Sequence, residues 1–305
     1  MKNRRKALLV YNPQSGPATD RAAWLGEIVD KFCKELNFNV TVRATKPGLT
    51  ASEIVEDGGA GFDLIVAAGG DGTIRLVLGA LSQAKSDIPA AIIPFGTGNQ
   101  LARNLGISQD NLLLDPVELA LDAIVRGRTR SIDIGSMNGH PFCVGVGVGP
   151  LSDAVAAPSR EDKANWGMLA YVGSMVQTIA SAPVELRVTA DGDTFDVKAS
   201  GLFVTNVGNF GIATVSETVE LDDGLLDLFI ITLGEFGDYL DLGFGFANSF
   251  LGGAAPYYLK KVKSVQVSSL RATLPANVDG DFLGSTPMSI DVVPSAVKVI
   301  CAETE

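Results

Sequence analysis

Three observations predict an α/β domain followed by a β-rich one. Up to residue 130, short apolar runs alternate with segments of helical periodicity, the grammar of a βαβ sheet. Two of these runs, Leu64–Ala68 and Ala90–Ile93, end in glycine-rich turns that lead into helical patterns: Gly69-Gly70-Asp71-Gly72-Thr73 and Pro94-Phe95-Gly96-Thr97-Gly98-Asn99. From Ser131 onward, period-two alternation takes over. Domains of residues 1–130 and 131–305 are therefore expected.

In order, Lys6–Tyr11 is a continuous apolar strand. Arg21–Leu36 sets Trp24, Leu25, Ile28, Val29, Phe32 and Leu36 at helical spacing, an apolar face for that sheet. Phe38–Ala44 alternates as a second strand, and Thr50-x-x-Glu53 is a capping box opening a short helix that ends near Gly58-Gly59. Leu64–Ala68 and Ala90–Ile93 are further strands, followed by helices over Ile74–Leu81 and Gln100–Leu105, with another over Val117–Arg126. In the second half, strands are expected at Ser131–Met137, Phe142–Val148, Val184–Thr189, Phe195–Ala199, Leu202–Val207, Leu225–Thr232, Val262–Val267 and Met288–Val293, with Asn138-Gly139 as a hairpin turn. Trp166–Ile179 and Gly237–Phe250 read as helical interruptions.

Composition narrows the class. The chain has 305 residues, 46% of them hydrophobic and 34 of them glycine, enough for two cores with many turns. A net charge of −11 argues against general nucleic-acid binding, which needs cations to displace counterions from phosphates. Cys33, Cys143 and Cys301 lie far apart in apolar stretches and read as reduced core residues. The apolar run Ala7–Tyr11 stops at Asn12-Pro13, too short for a signal-peptide core, so a cytoplasmic protein is expected. Ala164–Val184 and Leu242–Leu259 approach the ~20 residues of a membrane span but are diluted with polar residues, Gly or Pro.

The glycine turns read as phosphate cradles. Without Cβ atoms, backbone N–H groups approach an anion closely, and a helix N-terminus favours negative charge. A single such turn also reads as a plain strand-to-helix connection. Here there are two, each with a hydroxyl and a polar side chain among its glycines.

These turns, together with Asn12-Pro13-Gln14-Ser15-Gly16 after the first strand and Asp279-Gly280-Asp281 near the end, resemble in order the signatures of the diacylglycerol kinase and sphingosine kinase catalytic domain, most nearly the bacterial soluble lipid kinases. Cys143–Val155 and Leu221–Leu228 resemble further segments, so the likeness covers almost the whole chain. Gly-Gly-Asp-Gly-Thr alone is shared with NAD kinases; the ordered set is specific. The resemblance implies a β-sandwich-like second domain, an active site with nucleotide in the interdomain cleft, and ATP-dependent phosphorylation of a lipid hydroxyl with Mg²⁺.

Phosphoryl transfer needs a held polyphosphate, positive charge, an in-line acceptor and a destination for its proton. Gly69, Gly70, Gly72 and Thr73 suit the first task, as do Asn12, Pro13, Gln14, Ser15, Gly16, Thr97, Gly98 and Asn99. The resemblance adds Thr45; Thr45 and Ser15 equally suit capping or turn roles. Asp71 inside the first cradle makes electrostatic sense with Mg²⁺ or a proton beside it, and Arg103 is placed to contact phosphate or such an acid. Asp279-Gly280-Asp281 also reads as a turn. In the family this motif normally ends in Glu and carries the base; Asp281 is one methylene shorter, which makes Asp279 the first choice and Asp281 the second, with Asp71 the remaining catalytic candidate. By resemblance again, Asp223 supplies a carboxylate to a structural Mg²⁺ site completed by backbone carbonyls near Glu220 and Leu225; the alternative is a turn.

The chain departs from bacterial relatives at Pro17 and Gln100, where a Lys and an Asp are usual, and at Arg75 and Leu76 in place of Asn-Glu. His140, the sole histidine, sits beside Asn138-Gly139, so Ser-His or Cys-His hydrolysis has no support. The function expected is an ATP:lipid phosphotransferase. A kinase for a soluble substrate such as NAD, or a nucleotide-binding regulator without turnover, is the alternative. The lipid is expected to be reached by transient peripheral contact at the inner membrane face, through Gly237–Tyr258, followed by Lys260, Lys261 and Lys263, or through Trp166–Ile179. Both stretches also read as core helices.

Overall fold

Five apolar residues in succession at Leu64–Ala68 leave no face for water, and only a strand covered on both sides accommodates that. The computed structural model describes residues 4–14, 21–46, 49, 53–54, 61–96, 98–107, 116–126, 128–156, 182–207, 220–232 and 257–302. It divides the chain into two units, Met1–Ile134 with Val293–Glu305, and Gly135–Val292. The chain thus passes between units twice, once in each direction. The expected boundary at 130 falls at 134, and the last strand belongs partly to the first unit.

The first unit is built on parallel strands β1 (Arg5–Tyr11), β2 (Phe38–Ala44), β3 (Leu64–Gly69) and β4 (Ala90–Pro94), in the order β2-β1-β3-β4. Every residue of β3 and β4 is buried. Helix α1 (Arg21–Lys34) packs on β2, α2 (Asp71–Gln83) on β3, and α4 (Pro116–Arg126) on β4, with the short α3 (Gln100–Asn104) between the last two in sequence. The predicted apolar face of α1 buries Ile28 and Phe32, the latter with its ring 5.8 Å from that of Phe38. Strand order reverses beside β1, so the carboxyl ends of β1 and β3 form a topological switch point, where open α/β sheets hold ligands.

Strand β16 (Met288–Ile300) begins in the second unit and ends beside β4, pairing Val299 with Ala90 in parallel. It is far longer than the expected Met288–Val293. Ser295 takes a left-handed conformation just past the crossing and donates its N–H to the buried Asp133 carboxylate at 2.7 Å. That bond satisfies a charge that would be costly to bury unpaired.

The second unit is a β-sandwich. One sheet runs β16-β13-β8-β9, with β8 (Val184–Ala190), β9 (Asp193–Ala199) and β13 (Ser264–Ser269); β16 also pairs with β5 (Thr129–Met137), which forms a hairpin with β6 (His140–Phe142). The other runs β12-β11-β10-β7-β14-β15, all antiparallel, with β7 (Gly145–Val148), β10 (Gly201–Thr205), β11 (Leu226–Ile231), β12 (Tyr257–Val262), β14 (Pro275–Val278) and β15 (Asp281–Ser285). Leu186, Val188, Val265 and Ile290 of the first sheet share a core with Val146, Val204, Leu228 and Val278 of the second. A helical turn, α5 (Pro150–Ala156), follows β7.

Three hairpins close on two-residue turns with both φ angles positive: Asn138-Gly139, Asp191-Gly192 and Asp279-Gly280. This geometry matches strand twist and selects Asn-Gly and Asp-Gly. Two expected strands prove to be divided. Phe142–Val148 breaks at Cys143-Val144, and Val262–Val267 breaks at Lys263, with β12 starting earlier, at Tyr257. The expected helices over Trp166–Ile179 and Gly237–Phe250, and most of the capping-box helix, lie outside the described residues. Among the described residues no helix is long and apolar enough to cross a membrane.

A Cβ placed on Gly135 of β5 would lie 1.9 Å from the fully buried Phe142 ring across the hairpin. Gly135→Ala is expected to cost about 1–3 kcal/mol, as overpacking does, and to lower the urea midpoint with an unchanged m-value; wild-type stability would mean the ring moves aside.

Candidate active site

The β3–α2 turn and the β4–α3 turn are locked together. Gly70 caps α2 in an extended conformation, and its carbonyl accepts the N–H groups of Thr73 and Ile74 at 2.9 and 3.1 Å. The Phe95 N–H reaches the Gly69 carbonyl at 2.9 Å. Asp71, first residue of α2, turns its carboxylate onto the second turn: Oδ2 accepts the Asn99 N–H and Oδ1 the Gln100 N–H, both at 3.0 Å. Asp71 is therefore the anion seated at the start of α3. Asn99, left-handed at φ 48°, closes its own loop by accepting the Gly96 N–H and donating to the Gly96 carbonyl.

This clasp explains the glycines differently from anion approach alone. A Cβ on Gly96 would fall 2.8 Å from the Gly70 Cα, and one on Gly98 would fall 2.6 Å from Asp71 Oδ2. Close approach of the two loops excludes side chains there.

The other expected nucleotide residues lie along the same carboxyl edge. Asn12 follows β1, donates its N–H to the Ala68 carbonyl and accepts the Gln14 N–H on Oδ1, forming an Asx turn over Pro13. Thr45 follows β2 and donates its N–H to the Tyr11 carbonyl at 2.8 Å. Arg103 is exposed on α3, and Gln100 keeps Oε1 buried without a partner. Ser15, Gly16, Pro17 and Thr97 lie outside the described residues. Not foreseen was an aromatic cluster at this edge, where the Trp24 ring lies 4.3 Å from Phe95 and 6.2 Å from Tyr11.

In the second unit, Asp279 sits left-handed at the β14–β15 turn. Its carboxylate accepts three backbone N–H groups, from Cys143 at 2.8 Å and from Val144 and Gly145 at 2.9 Å. These bonds are why β6 and β7 are separate strands. An ionised carboxylate has about four lone-pair positions, so Asp279 is largely committed. Asp281 opens β15 and is exposed.

At the expected metal turn, Asp223 Oδ1 accepts the Leu225 N–H at 3.0 Å, while Oδ2 is bound by the Lys261 ammonium, which also lies 3.7 Å from Glu220. The Asp223 carboxylate raises the Lys261 pKa; burial pushes that of Asp227 up, against the pull of Lys261. Lys260 pairs with Asp193 at 3.2 Å, so it and Lys261 are both engaged by acids. Of the expected docking segments, Tyr258 is described: it is exposed and packs its ring 5.7 Å from Phe195. His140 is exposed at the start of β6, and all three cysteines are free.

Comparison with known proteins matches residues 6–137 to the diacylglycerol kinase catalytic domain and residues 144–301 to the YegS C-terminal NAD kinase beta sandwich-like domain. The chain is 29% identical over 289 residues to a diacylglycerol kinase of Bacillus subtilis, covering 93% of this chain and 92% of the relative. It is 28% identical to a diacylglycerol kinase of Staphylococcus saprophyticus, covering 93% and 91%. In fold it is similar to the crystal structure of a diacylglycerol kinase from Bacillus anthracis, with a TM-score of 0.75 at 24% identity, covering 99% of this chain and 98% of that one.

Two outcomes follow from the bracing carboxylates. Asp279→Asn turns an amide donor toward backbone donors and is expected to cost about 1–3 kcal/mol, read as a lower thermal midpoint. Gly98→Ala pushes the Asp71 carboxylate from the start of α3 and should weaken nucleotide binding in calorimetry; ordinary affinity would show that the clasp is not needed for binding.

Proposed function

Because the chain belongs to the family that couples a diacylglycerol kinase catalytic domain to a YegS C-terminal NAD kinase beta sandwich-like domain, and is thus a phosphotransferase, we propose that it is an ATP-dependent lipid kinase transferring the γ-phosphoryl group to a hydroxyl of a lipid such as diacylglycerol. The observation that carries this reading is the Asp71 clasp between the two glycine turns. The first turn of α2 presents its N–H groups at the positive end of the helix, which suits polyphosphate. Asp71 would repel such a ligand if its charge were free. Donation from the Asn99 and Gln100 amides draws that charge into the second loop, away from the site.

The nucleotide is taken as its Mg²⁺ complex, so this cation belongs to the substrate and neutralises phosphate charge. Asn12, Thr45, Gly70, Gly72 and Thr73 line the nucleotide end in this reading. Asp281 is the base that accepts the proton of the lipid hydroxyl, because the oxygens of Asp279 are occupied by the Cys143–Gly145 amides. Asp279 is then a positioning residue: it fixes the turn from which Asp281 emerges. The two closely related residues thus exchange the order in which the motif alone ranks them.

A lipid acceptor fits the names carried by the relatives and the apolar side chains the second unit exposes at Tyr258, Leu259 and Phe282. Contact with the membrane is transient and from the cytoplasmic side. ATP consumption is to be measured with diacylglycerol in mixed micelles, with NAD, and with no acceptor. Turnover on the lipid alone supports the reading; turnover on NAD alone replaces it with a soluble-substrate kinase. Asp281→Asn is expected to lower lipid turnover by about 10²–10⁴-fold at nearly unchanged ATP affinity, and near-normal turnover would move the base elsewhere.

A further inference from the structure

We propose that the Asp223-Gly224 turn, which by family resemblance binds a divalent metal, is closed in this protein by its own Lys261 ammonium and works without a metal. The donor set does not fit a divalent ion as it stands. Both Asp223 oxygens are in use, Oδ1 by the Leu225 N–H and Oδ2 by Lys261, and the same ammonium lies 3.7 Å from Glu220. Mg²⁺ demands near-octahedral oxygen ligands at about 2.0–2.1 Å, and the Lys261 ammonium on Oδ2 stands where it would repel such a cation.

The lysine is delivered by the backbone rather than by a chance rotamer. In the antiparallel pairing of β11 with β12, Lys261 stands directly opposite Asp227. Cross-strand partners project from the same face, and the Asp223-Gly224 turn leads straight into β11. Lys261 is thereby held over a turn that gathers Glu220, Asp223 and Asp227. The Asp223 side chain is 16% exposed and that of Lys261 42%, so the carboxylate is the shielded half of the pair and the ammonium reaches it from the solvent side. One positive charge set against this acidic group does the electrostatic work of a bound cation, and the stability of the second unit becomes independent of free Mg²⁺. Whichever acceptor the enzyme uses, Mg²⁺ is then required with the nucleotide and not for the fold.

The test is thermal unfolding of the full chain without nucleotide, in EDTA and in millimolar MgCl₂. The wild type is expected to unfold at the same temperature in both, and Asp223→Asn to be less stable by an equal amount in both. Lys261→Met removes the ammonium while keeping the stem. It is expected to lose stability in EDTA and to recover by about 2–4 °C in Mg²⁺, a recovery absent from Lys261→Met/Asp223→Asn. Lys261→Arg keeps a cation and should show no Mg²⁺ response. A Mg²⁺-dependent rise in the wild type that Asp223→Asn abolishes would overturn the proposal by showing a metal at the carboxylate. Lys261→Met that folds and ignores Mg²⁺ would overturn it by reducing the cluster to an ordinary ion pair.

Discussion

Side-chain oxygens that capture the backbone N–H groups of a distant segment hold this protein's turns in register. Asp71 takes two amides of the second glycine loop, and Asp279 takes three between β6 and β7. Asp191 takes those of Lys263 and Ser264, and Asn138 that of Ser289. In the last three cases the acceptor sits at a left-handed hairpin position followed by glycine, so one residue both makes the turn and anchors its neighbour. Buried or half-buried amides outside ladders must find acceptors, and these side chains supply them where strand pairing stops.

The same bonding pattern decides which acids are available for chemistry. A carboxylate already accepting two or three N–H groups is a structural anion. Its charge is spent inside the fold, unlike that of a carboxylate open to a substrate proton. In both units the acid within the glycine motif is of the first kind, Asp71 in one and Asp279 in the other. Residue type and motif position do not distinguish the two kinds; the acceptor geometry does.

What was legible in the chain follows from how local each signal is. The apolar runs of β1, β3 and β4 and the helical face of α1 announce themselves because burial depends on residues adjacent in sequence. Asn138-Gly139 is legible as a hairpin for the same reason. The break at Cys143-Val144 is not, since its cause is a carboxylate 134 to 136 positions away. Strand β12 is hidden by the aromatic and apolar residues around it, which read equally well as a helix face. Lys261 reads in the sequence as part of a basic cluster with Lys260 and Lys263, and its pairing with the acidic turn appears only through its register with Asp227. The clasp between the two glycine loops is legible in composition, as glycines and Asp71, but the reason for the glycines is loop-against-loop contact.

Strand β16 carries one further consequence, for the order in which the protein is made. The β4 side of the parallel sheet takes its partner from residues beyond Val293, which leave the ribosome only after the whole second unit. Domains of a nascent chain ordinarily fold in turn, amino-terminal first. Here the first nucleates early but waits, with an open β4 edge of the kind that invites mispairing, while the whole second unit is made. Completion of the first unit's sheet is thereby tied to successful synthesis of the β-sandwich, and a prematurely terminated chain is left with an exposed edge for proteolytic surveillance to find.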